Sequence, residues 1–303
     1  MSKIDKSNIG SRISFGPISR FGVTLDNLRL LDRLVPENLS FAIGFALMRA
    51  NYTGPCMRIR RVADNVQADV YFNASGKMAM DSRTRAVSNG ATNTLGNFAN
   101  GGNCTVVEHY DQGPYAIRVQ PMPDDQQPLV ISNGAFITND GSPPLVAYDG
   151  SSNYTEYRYI RTRPGSLIIQ GSQPGIASGG GQPRTIDGAV SGYTQFSAAA
   201  IFPALDGTAP AMFAGLALKQ SGNSDQRNRY RIFEAQFNST QSALFQDGVR
   251  IALGDAGADP AMNLMLGKHT DGGYSNTSYS SVISTREIAH DPLALANALK
   301  VVY

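Results

Sequence analysis

The 303-residue chain has no tryptophan, three histidines and two cysteines, and each scarcity closes a route. Cys56 and Cys104 are too few for a disulfide scaffold and too far apart for the close-set thiols of a structural zinc site. A single bridge between them stays open, and no metal frame is implied. His109, His269 and His290 do not fall at zinc-binding spacing either. Charge of one sign is missing as well: 26 Lys and Arg against 24 Asp and Glu leave a net +2, too little to gather nucleic acid or an anionic membrane. No stretch approaches the roughly 18 apolar residues of a membrane span, and the opening Met1-Ser2-Lys3-Ile4-Asp5-Lys6 lacks the apolar core of a signal peptide. The chain is therefore expected to be made in a cytoplasm and to stay soluble, with neither nucleic acid nor membrane as partner.

Turn chemistry is what the sequence has in quantity. Its 31 Gly and 16 Pro, with Ser, Thr and Asn, crowd the gaps between short apolar runs, a pattern of many strands joined by tight turns. Strands are expected over 57–62, 69–72, 104–110, 129–138, 145–148 and 153–161, then over 193–204, 211–218, 230–237, 243–253, 262–268 and 278–288. Residues 171–192, with Gly179-Gly180-Gly181, read as a long loop. A dozen strands at this spacing favour a mainly β sandwich or jelly roll.

Three helices are expected around that core. Thr24 caps a segment to Leu34, and Phe41, Phe45, Met48 and Tyr52 form one helical stripe across 40–52. Near the end, Asp291 caps and Pro292 opens a helix whose Leu295, Leu299 and Val302 share a face. The first 20 or so residues show no period. The expected organisation is residues 1–37 as an arm and short helix for assembly, docked on neighbouring subunits, followed by one domain over 38–303.

Three segments carry a resemblance: YTGPCMRIRRVADN (52–65), CTVVEHYDQ (104–112) and PLVAYDGSSNY (144–154). Together they resemble the concanavalin-A-like, laminin-G-like jelly-roll domain of phage tail and virion proteins, over roughly residues 38–155. That group is in turn similar to the catalytic domain of fungal α-L-arabinofuranosidases. The resemblance implies a jelly-roll β-sandwich, to which the residue patterns add an N-terminal arm, two short N-terminal helices and a C-terminal helix. It also implies a virion structural protein of tail, fibre or head decoration that binds copies of itself and other virion proteins and attaches to host-surface polysaccharide. The alternative it carries is a glycoside hydrolase acting on arabinose-containing or related polysaccharide.

Within those segments Arg58, Arg60 and Arg61, next to Asp64 and Asn65, are expected to tie a strand to its turn through bidentate pairs. Tyr110, Asp111, Gln112 and Asp149 are expected to brace strand ends, because Asp after a strand usually satisfies turn amides. Tyr154, Tyr157 and Tyr159, alternating with Asn153, Glu156 and Arg158, form a candidate glycan face, with cross-strand packing as their competing use.

The arabinofuranosidases resemble other retaining glycosidases in using two carboxylates, with a nucleophilic Glu near a vicinal cysteine pair in a D-Y-G-N-A-E setting. This chain has no Cys-Cys, and its nearest parallel, Phe233-Glu234-Ala235, reads as an ordinary strand with Glu234 facing solvent. No catalytic residue is carried across, and a non-enzymatic protein is expected. No cofactor is expected. The turn Asn139-Asp140-Gly141 suggests Ca²⁺ but lacks a ligand set large enough for that ion.

Overall fold

The computed structural model describes residues 29–34, 38–117, 123–139, 142–158, 165–172, 186–187, 200–205, 209–222, 224, 226, 229–258, 263–267, 276–286, 288 and 290–302. In chain order the strands are β1 Leu39–Gly44, β2 Met57–Arg61, β3 Gln67–Val70, β4 Arg83–Ala86, β5 Thr92–Thr94, β6 Cys104–His109, β7 Leu129–Ser132, β8 Ala135–Phe136, β9 Val146–Ala147 and β10 Thr155–Arg158. They continue as β11 Gly165–Ser172, β12 Ile186–Asp187, β13 Ala200–Leu205, β14 Ala209–Phe213, β15 Ala217–Lys219, β16 Arg231–Phe237, β17 Ser242–Gln246, β18 Val249–Gly254, β19 Asn263–Leu266 and β20 Ser278–Thr285. The helices are α1 Leu95–Ala99 and α2 Pro292–Val302.

These strands make two antiparallel sheets, the layered jelly-roll sandwich that the turn-rich sequence implies. Among the described residues the larger has 14 strands in the order β18-β17-β16-β11-β20-β9-β7-β6-β2-β3-β4-β5, with β1 on β20 and β8 on β7. The smaller runs β10-β19-β12-β13-β14-β15. One core joins them: Phe41, Ile59, Val106, Ile169, Phe233 and Val282 of the larger sheet meet Ile201, Met212, Leu264 and Leu266 of the smaller. A second cluster lies on the opposite face of the larger sheet, where Ile168, Ile232 and Ile283 pack under Leu295 and Leu299 of α2.

The C-terminal helix forms where its signals place it. Asp291 Oδ1 accepts from the backbone N–H of Leu293 at 2.9 Å and of Ala294 at 3.4 Å, satisfying two of the donors a helix start leaves open. Residues 40–52 do not form a helix. Every residue of β1 is buried, with Phe41 and Ile43 in the core between the sheets and Leu39 and Ala42 in the cluster on the opposite face, so a helical period read across this run carries no information; Phe45 and Met48, beyond the strand, fall into different clusters. β1 pairs with β20 from Leu39↔Thr285 to Gly44↔Ser281, and Asp111 and Gln112 bond its other edge. The described part of the other expected helix is a 3-10 turn over Leu30–Arg33, and residues 24–28 lie outside the described residues.

The expected strand at 243–253 is a hairpin of β17 and β18. Asp247 (φ 52°) and Gly248 (φ 85°) make the left-handed turn that an Asp-Gly pair favours. A Cβ on Gly248 would come within 2.6 Å of Leu293 Cα, so the turn also seats the first turn of α2. β11, with Leu167-Ile168-Ile169 apolar on both faces, had no period to betray it. The arm at residues 1–20 and most of the 171–192 loop lie outside the described residues, although β12 falls within the latter.

Candidate functional site

β2 alternates in the manner its sequence demands. Met57 and Ile59 are fully buried in the core, which turns Arg58 and Arg60 to the other face of the sheet. Register then builds a row of alternating charge across four strands: Glu108 of β6 lies opposite Arg58 of β2, Arg58 opposite Asp69 of β3, and Asp69 opposite Arg85 of β4. Arg58 Nε donates to Asp69 Oδ1 at 2.8 Å and Nη2 to Oδ2 at 3.3 Å, a two-point grip that fixes the carboxylate's plane. Glu108 Oε2 stands 3.8 Å from Arg58 Nη1, and the Tyr110 hydroxyl donates to Asp69 Oδ1 at 2.8 Å. Burial, then the bond to Asp69, holds the Tyr110 phenol well above its ordinary range, and the same carboxylate raises the Arg58 guanidinium.

This face is reachable. The side chains of Arg58, Asp69 and Glu108 are 27%, 20% and 10% exposed. Arg83 extends it, stacking its guanidinium 4.1 Å from the centre of the Tyr71 ring. Two carboxylates, three arginines and two tyrosines thus share one surface, which offers both charged hydrogen-bonding groups and aromatic area.

The other motif residues brace the framework. Arg60 donates to Gln127 Oε1 at 2.8 Å, Asn65 Oδ1 at 2.6 Å and the Asp124 carbonyl at 2.8 Å, and is buried. Arg61 forks onto Asp64 at 2.9 and 2.6 Å, which lowers the Asp64 carboxyl from its usual range. Asp111 accepts backbone N–H bonds from Ala42, Gly113 and Ile117, and its burial outweighs them in moving its carboxyl up. Gln112 donates to the Ala46 carbonyl and accepts from Met48 N–H, so it and Asp111 stand in for a strand beside β1. Asp149 closes its turn by accepting from Ser151, Ser152 and Asn153. Although partial burial opposes it, those bonds depress the Asp149 carboxyl.

Of the tyrosines named for a glycan, Tyr154 is half-buried and bonded through its backbone to Gln126. The Tyr157 side chain and all of Tyr159 lie outside the described residues, as do Asp140 and Gly141. Cys56 and Cys104 are both buried and free. Burial pushes the Cys104 thiol up to about 11, and Cys56 further.

Two polar groups are sealed instead of open. Glu234 is 3% exposed, correcting the expectation that it faces solvent, because the residues leading into α2 cover central strand β16. Its Oε1 meets Gln236 Nε2 and His290 Nε2, each at 2.7 Å. Within the core, His109 Nε2 bonds the Tyr279 hydroxyl at 2.7 Å, Tyr279 lies 3.4 Å from the Tyr148 hydroxyl, and Tyr148 donates to Thr155 Oγ1 at 2.7 Å. Burial lowers His109 to about 3, leaving a neutral imidazole. No group of three His, Cys, Asp or Glu that could hold a metal ion occurs among the described residues.

No family model matches the chain, and a search of curated proteins finds no match. Solved structures share its fold. An arabinofuranosidase complexed with arabinofuranosyl-α-1,2-xylobiose superposes with a TM-score of 0.63 at 12% identity, over 87% of this chain and 62% of its own. A GH54 α-L-arabinofuranosidase soaked with a cyclic sulfate inhibitor gives 0.59 at 11% identity, again over 87% and 62%. The chain therefore spans less than two thirds of the enzymes it matches. At such identity the likeness establishes the fold. It also overturns the expectation of a non-enzymatic chain, since the architecture found is that of glycosidases, and nothing in the comparison points to a phage particle.

Sequence reading singled out Arg58 and Tyr110 but missed Asp69, Glu108, Tyr71, Arg83 and Arg85. Their association depends on the register of four strands, which no local pattern specifies.

Proposed function

We propose that this chain is a glycoside hydrolase of the β-sandwich type, acting on arabinose-containing or related polysaccharide. The observation that carries the reading is the sharing of the arabinofuranosidase fold along 87% of the chain. The open face of β2, β3, β4 and β6 supports it. There Arg83 and Arg85 offer donors to sugar hydroxyls, Tyr71 and Tyr110 offer ring faces, and Asp69 and Glu108 are two carboxylates within reach of one surface. Glycoside hydrolysis needs such a pair, one carboxyl to protonate the leaving oxygen and one to act as nucleophile or to activate water. We assign Asp69 and Glu108 to it as a pair, with Arg58 and Tyr110 as positioning residues.

The test is hydrolysis of 4-nitrophenyl α-L-arabinofuranoside and of arabinoxylan by the purified full chain. Release of nitrophenol is expected, with D69N and E108Q each lowering the rate by about 100-fold or more. Absence of turnover on both substrates removes the enzyme reading. Turnover that survives both substitutions moves the catalytic pair elsewhere.

A further inference from the structure

Far from the Arg58 row, a pocket of about 180 Å³ opens between the last turn of α2 and strands β11 and β16, lined by Gln170, Tyr230, Arg231, Ile232, Asp247 and Lys300. It is smaller than the roughly 300–1,000 Å³ of pockets that take drug-sized ligands, so its occupant is of monosaccharide size. Its polar lining is built mostly of donors. Gln170 is 2% exposed, and its Oε1 accepts from Ser281 Oγ at 3.2 Å, while its amide nitrogen has no partner among the described residues. Arg231 engages only Nε, with Gln226 Oε1 at 3.2 Å and facing Asp247 Oδ2 at 3.7 Å. Its two terminal nitrogens have no partner among the described residues, and neither has Lys300. Asp247, the pocket's one carboxylate, is partly occupied by the backbone N–H of Ile232 at 3.2 Å.

A pocket with one uncommitted ammonium, two terminal guanidinium nitrogens and a buried amide donor is complementary to a small anion rich in acceptors. The guanidinium fork matches a carboxylate in two-point geometry, Lys300 adds a point charge, and Gln170 can reach a ring hydroxyl. Tyr230, whose hydroxyl is held by Ser280 Oγ, supplies a fixed aromatic wall. We propose that this pocket binds a uronic acid residue, through its carboxylate, as a saccharide-binding site separate from the hydrolytic face. The sugar half of this assignment rests on the glycosidase reading; the carboxylate half rests on the pocket alone.

Calorimetric titration of the full chain with D-galacturonate, D-galactose, acetate and inorganic phosphate tests it. Galacturonate should bind, with galactose and acetate each weaker by about tenfold or more. K300A, an exposed helix position where folding is not at stake, should weaken galacturonate by about tenfold, as should R231K, which keeps the charge and loses the fork. Hydrolysis of the arabinofuranoside should be unchanged in K300A. No galacturonate binding, or galactose binding equally well, overturns the site. Phosphate displacing galacturonate at lower concentration overturns its assignment to a sugar. Because binding and turnover are read separately, a chain that binds galacturonate but hydrolyses nothing refutes the enzyme and keeps the pocket's charge chemistry.

Discussion

Under α2, Glu234 is nearly inaccessible and receives His290 and Gln236 at 2.7 Å; on β2, Arg58 grips Asp69 with equal directness but keeps more than a quarter of its side chain in water. In the core, His109 is 2% exposed. Water has little access to the sealed groups, so removing His290 leaves the buried Glu234 carboxylate with Gln236 and no solvent to take the lost place. Water can replace what is lost on the open face, which leaves those residues free to exchange partners with a ligand. Exchange of partners with a ligand is therefore open to the Arg58 row and closed to the sealed pairs, which join β16, α2 and the two sheets.

The largest contrast should appear on acidification. His109 is neutral in the folded protein, with its pKa lowered to about 3 by burial, whereas an unfolded histidine takes up its proton near pH 6.5. Its contribution to stability is complete above about pH 6.5 and is lost as the pH falls toward 3, because the unfolded chain binds the proton first. The slope approaches about 1.4 kcal/mol per pH unit, or about 3 kcal/mol by pH 4. Urea unfolding at pH 7, 5.5 and 4 should show this loss in the native sequence and a shallower one in His109→Phe. Parallel curves would mean that the ring is not held neutral.

The next effect is smaller. His290→Ala leaves buried Glu234 with Gln236 alone and should cost about 2 kcal/mol of unfolding free energy. Because His290 precedes the Asp291 cap, amide exchange in α2 should rise before exchange in β11 does. A neutral outcome would show that water replaces His290 there, and that the face is less sealed than its geometry indicates.

How much of this was legible in the sequence depends on whether one face of an element stays wet. The strand β2 could be read because Arg58 and Arg60 alternate with Met57 and Ile59, and α2 because Asp291, Pro292 and the leucine stripe agree. β1 and β11 could not, since burial on both faces erases the period of two. The β17–β18 hairpin was announced by Asp247-Gly248, a turn signal outweighed by the apolar run around it. Glu234 was misplaced for a different reason: its burial comes from residues more than fifty positions away, which local sequence does not encode. The site suffered most, because Glu108, Arg58, Asp69 and Arg85 become neighbours through three separate strand pairings.

The smallest effect on stability should come from the open face, and there the comparison is sharpest. Arg58→Met removes both contacts to Asp69 and the longer one to Glu108, yet partial exposure limits the cost to about 1 kcal/mol or less in a thermal melt. Freed from the guanidinium, the Asp69 carboxylate loses its fixed plane while keeping the Tyr110 bond. If Asp69 and Glu108 perform the hydrolysis, kcat should then fall by about tenfold or more with little change in KM, since positioning is expressed in the transition state. A loss of stability near that of His290→Ala, without loss of turnover, would reverse the assignment and make the Arg58 row a brace like the one beneath α2.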